Sequence, residues 1–238
     1  GAVLAHSIGL PDGKLKKGRR LSRADLDRLE AAGETEVTVA RLDAGDVDED
    51  TAAARVAAAL APDPKALGLS VSVPFTGRAN LFAAEAGVLT VDAGRVDALN
   101  ALDESLTLAT VDRHARVAPR QMVATVKVIP YAAPAEAVAR AEAILADGPV
   151  LRVHPLARRT AGLILTAVPG MSEKALAKGA EAVRARVKAL GMELAAERRV
   201  AHRTEDVAAA IRGCPGEMIL ILTGSATSDR DDVGPAGL

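Results

Sequence analysis

The stretch Ala161-Gly162-Leu163-Ile164-Leu165-Thr166-Ala167-Val168, closed by Pro169-Gly170, decides how the end of this chain folds. Its near-continuous apolar run predicts a strand buried on both faces, as a parallel sheet requires, rather than the alternation of a half-exposed strand. The sequence then predicts a long helix from Ser172 to Leu190, stopped by Gly191. Glu193–Val200 reads as a strand, Glu205–Arg212 as a helix and Met218–Leu222 as a second very apolar strand. This alternation predicts an α/β domain over residues 156–238, with a doubly wound, mostly parallel sheet.

Upstream, Gly148–Arg159 is the candidate boundary with a mixed α+β region over residues 1–155. Ser22 and Asp25 have the spacing of a capping box, opening a helix over 22–31 that Gly33 closes. The basic run Lys14–Arg20 before it reads as a solvated turn, and Glu36–Ala40 alternates like a strand. Asp46, Asp48, Glu49 and Asp50 precede an Ala-rich helix over 51–60, where acids complement the helix dipole. Beyond Pro62-Asp63-Pro64, strands are predicted at Leu69–Val73, Val88–Val91, Leu106–Val111 and Val123–Ile129. Helices are expected near 78–86, near 94–102 and over Ala132–Ala146, with Arg78 and Asn80 read as the cap of the first or, as the alternative, a second anion site.

Composition narrows the function. The chain has 238 residues, 30 Lys plus Arg against 31 Asp plus Glu, and 1% aromatic residues: Phe75, Phe82 and Tyr131, with no Trp. Balanced charge and the lack of stacking platforms argue against a nucleic-acid partner. No uncharged apolar run approaches the ~18 residues of a membrane helix, and no basic leader follows Gly1, so no membrane segment or signal peptide is expected. A single Cys214 rules out a disulfide framework and points to a reducing compartment. A cytoplasmic protein is expected.

The segment after the last apolar strand carries the most chemistry. It runs Thr223-Gly224-Ser225-Ala226-Thr227-Ser228-Asp229-Arg230-Asp231-Asp232-Val233-Gly234-Pro235. Open α/β sheets bind ligands beyond the carboxyl ends of their strands. Gly224 permits close backbone approach, the hydroxyls of Thr223, Ser225, Thr227 and Ser228 can bond phosphate or carbonyl oxygens, Asp229, Asp231 and Asp232 can hold Mg²⁺, and Arg230 can meet an anion. The same residues also suit a polar surface turn. Asp46-x-Asp48-x-Asp50 fails as a calcium loop, with Thr51 at the glycine position and Ala57 at the bidentate one. His6, His114, His154 and His202 show no metal-ligand spacing among themselves or with Cys214.

The Thr223-Gly224-Ser225-Ala226 and Asp229–Pro235 stretches resemble the Thr-Gly-Gly loop and Arg-Asp-Val-Thr-Pro stretch of the molybdopterin-binding family, which includes molybdopterin adenylyltransferases and molybdotransferases. Gly162–Gly170 and the helix to Gly191 are similar to that family's first strand, turn and helix, and Lys17–Gly33 is similar to a molybdotransferase segment. The resemblance implies molybdenum-cofactor biosynthesis, with molybdopterin as ligand or substrate, Mg²⁺, and ATP or CTP for nucleotidyl transfer or molybdate insertion. It implies that Thr223, Gly224, Ser225, Ala226, Thr227, Ser228 and Arg230 line the pterin-phosphate pocket, with Thr166 facing the same crevice. Asp232 would be the catalytic carboxylate, with Asp229 and Asp232 as metal ligands. A homo-oligomer, partner molybdoenzymes or other cofactor-biosynthesis proteins, and a domain continuing past Leu238 are further implications. Ser225 and Thr227 stand where the family carries glycines, and Val200-Ala201-His202-Arg203 stands where the adenylyltransferases carry an acid. The resemblance therefore carries pterin binding further than adenylyl transfer. A non-catalytic cofactor carrier or sensor, or a binder of another phosphorylated ligand, remain the alternatives.

Overall fold

Alternation with a period of two, carried by Ala, Val and Leu, builds most of the first of two units. The computed structural model describes residues 2–238. Its contacts divide at Pro155, with the second unit spanning Leu156–Leu238. Both units mix helices and strands, and among the described residues no helix is long and apolar enough to cross a membrane.

The first unit begins with β1 (Ala2–Leu4), β2 (Ile8–Leu10), β3 (Gly13–Leu15), α1 (Arg23–Ala31) and β4 (Val39–Arg41). β2 and β3 form a hairpin and β1 pairs antiparallel with β4, gathering Leu4, Leu10, Leu15 and Leu29 into a small core. The capping box forms as expected: Asp25 N–H donates to Ser22 Oγ (3.2 Å), and Ser22 N–H donates to Asp25 Oδ2 (3.0 Å). Asp25 is buried and also receives Arg19, whose Nη2 lies 2.9 Å from its Oδ1. The Arg19 guanidinium first, and Ser22 second, hold this carboxyl well below the usual carboxylate range.

The unit continues with β5 (Asp46–Asp48), α2 (Glu49–Leu60), β6 (Leu69–Val71), β7 (Arg78–Ala83), β8 (Gly87–Val91), α3 (Ala93–Asn100), β9 (Leu106–Thr110), β10 (Arg116–Val117), β11 (Met122–Val128), β12 (Ala132–Pro134), α4 (Ala135–Leu145) and β13 (Leu151–Pro155). A four-stranded antiparallel sheet runs β6-β7-β11-β9, a three-stranded one runs β10-β8-β13, and β5 pairs with β12. Buried Ala, Val and Leu from these sheets and from α2, α3 and α4 form one core.

Several elements differ from expectation. The helix expected near 78–86 is strand β7, and the expected cap is strand too: Asn80 N–H donates to Ser72 Oγ (2.9 Å) and its Oδ1 accepts from Thr125 Oγ1 (2.7 Å). Ala79, Leu81 and Ala83 are buried at period two between two neighbouring strands, so sheet packing overrides the helix preference of Ala and Leu. Residues 132–134 pair with β5, so the helix expected from Ala132 starts at Ala135. The turn expected over Lys14–Arg20 begins inside β3, the strand expected over Glu36–Ala40 forms only at Val39–Arg41, and β13 occupies part of the expected boundary segment.

The second unit contains β14 (Thr160–Ala167), α5 (Glu173–Ala189), β15 (Glu193–Ala201), α6 (Thr204–Gly213), β16 (Met218–Leu222) and α7 (Val233–Ala236). Its sheet has the order β15-β14-β16 and is parallel throughout, but at three strands it is smaller than the expected doubly wound sheet. Leu163 and Leu165 pack with Ala180 and Val183 of α5, while Ile164 packs with Ala210 and Ile211 of α6. β14 is therefore covered on both faces, which explains its unbroken apolar run. At Gly162 an added Cβ would lie 2.5 Å from both Cys214 Sγ and Pro215 O.

Two stability outcomes follow from these contacts. Gly162→Ala is expected to cost about 1–3 kcal/mol through overpacking, read by urea unfolding. Asp25→Ala is expected to lower the melting temperature at pH 7. Because the folded-state value of Asp25 is depressed, its contribution is present above the unfolded value of about 4 and lost as pH falls further. The difference between parent and variant should therefore shrink in melts below about pH 4.

Candidate functional site

The three parallel strands of the second unit end at one level. Leu165 pairs with Leu222, and Thr166 and Ala167 pair with Val200 and Ala201, so the chain leaves β14, β15 and β16 on the same side. A cavity of about 690 Å³ opens there, lined by Val168, Pro169, Arg199, Val200, His202 and Arg203 among others. Its two best-placed arginines are already paired, Arg199 with Glu173 (2.5 Å) and Arg203 with Asp206 (2.7 Å).

Thr166 is fully buried, so its hydroxyl must find partners inside the protein. Gly224 N–H donates to Thr166 Oγ1 (2.8 Å), and the same oxygen lies 2.8 Å from His202 Nδ1. On its other side, His202 Nε2 lies 2.9 Å from Ser225 Oγ. Two proton arrangements satisfy this chain. In one, Thr166 donates to Nδ1 and Nε2–H donates to Ser225. In the other, Nδ1–H donates to Thr166 and Ser225 donates to Nε2. In both arrangements His202 ties the end of β14 to the loop after β16 through Thr166 and Ser225.

Gly224 is required where it sits, because an added Cβ would lie 2.7 Å from Thr166 O and 3.2 Å from Val168 N. The loop beyond it is held by its own side chains. Thr223 Oγ1 donates to Ser225 O (2.8 Å) and lies 3.1 Å from Thr227 Oγ1. Asp232 Oδ2 accepts from the N–H groups of Ser228 (2.6 Å) and Asp229 (2.9 Å), which hold its carboxyl below the usual range. Asp229 Oδ1 accepts from Asp231 N–H (2.8 Å). Between the two anchored ends, the N–H groups of Ser225, Ala226 and Thr227 have no partner among the described residues. These three successive residues are exposed, and hydroxyls of Thr223, Ser225, Thr227 and Ser228 stand beside them in the sequence.

Thr166, Gly224 and Ser225 are thus brought together, though Thr166 is buried beneath the loop rather than open to the crevice. Thr223 and Thr227 join each other, while Ser228, Asp229 and Asp232 close the far end. Ala226 and Arg230 are exposed. His202 is the member that sequence reasoning missed as a partner of the loop; its only signal was its position directly after β15. Among the described residues, no group of three or more His, Cys, Asp or Glu is arranged to hold a metal ion.

A sequence family described as a domain of unknown function (DUF8806) matches residues 1–41, the segment containing β1 to β4 and α1. No curated protein and no solved structure matches the chain.

Thr166→Val keeps the shape of the side chain but strips Gly224 N–H and His202 of their partner. It is expected to cost about 1–3 kcal/mol in urea unfolding and to speed amide exchange at Gly224, while Thr166→Ser restores both.

Proposed function

We propose that the second unit binds a phosphorylated pterin of the molybdopterin type, with its phosphate on the loop between Thr223 and Asp232. The row of N–H groups at Ser225, Ala226 and Thr227, without partners among the described residues, carries this reading. It lies beyond the carboxyl end of a parallel strand, where α/β sheets offer backbone donors to anions, and the hydroxyls of Ser225, Thr227 and Ser228 add adaptable partners. The likeness of residues 160–238 to the molybdopterin-binding family supplies the ligand class, and in that reading the three parallel strands are part of a doubly wound sheet of that type. The second unit holds no aromatic residue, since Phe75, Phe82 and Tyr131 all lie before Pro155. A pterin ring here would be held by backbone and hydroxyl hydrogen bonds.

The acids do not form a ready Mg²⁺ site. Asp232 Oδ2 and Asp229 Oδ1 already accept backbone N–H groups, and among the described residues no third carboxylate converges on them. No step is therefore routed through a metal, and Asp232 acts as a brace that presents the loop. His202, in the place where the resembling enzymes carry an acid, gives the loop a hydrogen-bonding anchor instead. Both features favour a carrier or sensor of the cofactor over a nucleotidyltransferase.

Calorimetric titration with molybdopterin is expected to give saturable heat that is abolished in Gly224→Val and weakened about tenfold in Asp232→Asn. Incubation with the pterin, Mg²⁺ and ATP or CTP should leave its mass unchanged by mass spectrometry. A nucleotidylated pterin would make the protein an enzyme, and an absence of heat with the parent chain would overturn the binding itself.

A further inference from the structure

Three acids stand in a row at the start of α2, and two of them have structural work. Asp48 Oδ1 caps the helix by accepting Thr51 N–H (3.1 Å), and Asp50 Oδ1 accepts Gly77 N–H (2.8 Å). Glu49 has none: its side chain accepts no hydrogen bond from the described residues. It nevertheless occupies a built slot. Its Oε2 lies 2.8 Å from where a Cβ on Gly77 would stand, and its Oε1 lies 3.4 Å from the same point on Gly18. Both glycines have positive φ, so the backbone on either side leaves room for this one carboxyl. Burial, and then the charge of Asp50, push it above the ordinary carboxylate value.

The slot opens into a cleft of about 440 Å³ lined by Lys14, Lys16, Lys17, Phe75 and Thr76 as well as Glu49. The segment from Lys14, expected to be a solvated turn, here lies along a concave surface. Lys14 and Lys16 pair with no carboxylate among the described residues, and Lys17 Nζ sits 5.3 Å from the Tyr131 ring centroid. Lys17 and Lys127 are the cations near enough to Glu49 to oppose its shift. Also lining the cleft, Thr76 takes a left-handed conformation (φ 49°), uncommon for a β-branched residue, and Phe75 beside it is left 70% exposed. An apolar ring face, free ammonium groups and a half-buried carboxyl with no donor therefore share one cleft.

These groups call for complementary features on a single ligand. Two carboxylate oxygens accept best from two parallel N–H donors on one edge. A flat ring covers Phe75, and a phosphate neutralises the ammonium groups. Adjacent ring N–H and exocyclic NH₂ donors mark the edge of guanine and of 2-amino-4-oxopteridines. Adenine instead presents an acceptor beside its amino group. We propose that this cleft binds a phosphorylated heterocycle with a guanine-type edge, Glu49 accepting the paired N–H groups, Phe75 taking the ring and Lys14 and Lys16 meeting the phosphate. The site lies wholly in the first unit and does not rest on the reading of the second.

Calorimetry at low ionic strength on the full chain tests it with guanosine monophosphate, adenosine monophosphate, dihydroneopterin monophosphate and inorganic phosphate. The guanine and pterin phosphates are expected to bind, the tighter of them identifying the source, with the adenine nucleotide at least about tenfold weaker and phosphate weaker still. Glu49→Gln, nearly isosteric, should lose about tenfold or more for the guanine nucleotide and erase the preference over adenine. Phe75→Ala, at an exposed position, should weaken both nucleotides without changing the melting temperature. Lys14→Ala with Lys16→Ala should weaken all phosphates and flatten the salt dependence. Repeating the pterin titration in Gly224→Val separates binding here from binding on the second unit's loop. Equal affinity for the two nucleotides, no heat with the guanine nucleotide, or full affinity in Glu49→Gln would overturn the proposal.

Discussion

The hydroxyl of Thr166, buried at the carboxyl end of the central strand of the second unit, is the constraint on which the loop geometry depends. A hydroxyl taken out of water costs several kcal/mol unless it is paired, on the order of 1–3 in mutational terms. Its two partners come from different parts of the chain: Gly224 N–H from the segment after β16 and His202 Nδ1 from the end of β15. Satisfying one core atom thus fixes where two strand ends deliver their loops. Gly224 follows from the same demand, since the backbone must approach Thr166 O more closely than any Cβ allows. Ser225 is then placed by His202, and the polar loop inherits its position from the apolar strand beneath it.

A core without aromatic rings reaches its packing in another way. With Ala, Val and Leu as the filling, elements must approach closely, and glycines mark the points of nearest approach. Gly162 of β14 lies against Cys214 and Pro215, and a Cβ on Gly179 of α5 would lie 2.6 Å from Leu222 Cδ2. Small side chains carry less apolar area each, at roughly 25 cal/mol per Å², so fit rather than bulk holds such a core together. The few aromatic residues are then free for other work. Tyr131 donates its hydroxyl to Ala5 O (2.6 Å), tying the start of the chain to the segment before β12, while Phe75 faces outward.

What the sequence made legible was set by how locally each signal was encoded. β14, α5 and β16 could be read because a long apolar run and a helix closed by glycine need no partner to be recognised. The capping box of α1 is a four-residue signal and formed as spaced. β7 was misread because Arg78-Ala79-Asn80-Leu81-Phe82-Ala83 is helix-prone in isolation and extended only because β6 and β11 flank it. In the site, the loop residues were visible by type, but their roles were not. Whether Asp232 faces a metal or the N–H groups of Ser228 and Asp229 depends on a turn that no spacing rule announces. The partnership of His202 with Thr166 and Ser225 joins residues 36 and 23 positions apart, which only the folded chain brings together.

In the two acidic stretches, most of the carboxyls serve backbone N–H groups. In the loop after β16, Asp229 and Asp232 each spend an oxygen on backbone N–H groups, while the N–H groups of Ser225, Ala226 and Thr227 have no partner among the described residues. At the start of α2, Asp48 and Asp50 likewise serve the N–H groups of Thr51 and Gly77, and the side chain of Glu49 accepts no hydrogen bond from the described residues. Unpaired N–H donors suit a ligand rich in oxygen and negative charge, and an unpaired carboxyl among lysines suits one that brings N–H donors and phosphate together. Counting acids along the sequence would make the loop after β16 a metal site. Counting which backbone groups each acid already serves shows instead that Asp48, Asp50, Asp229 and Asp232 are structural acceptors first.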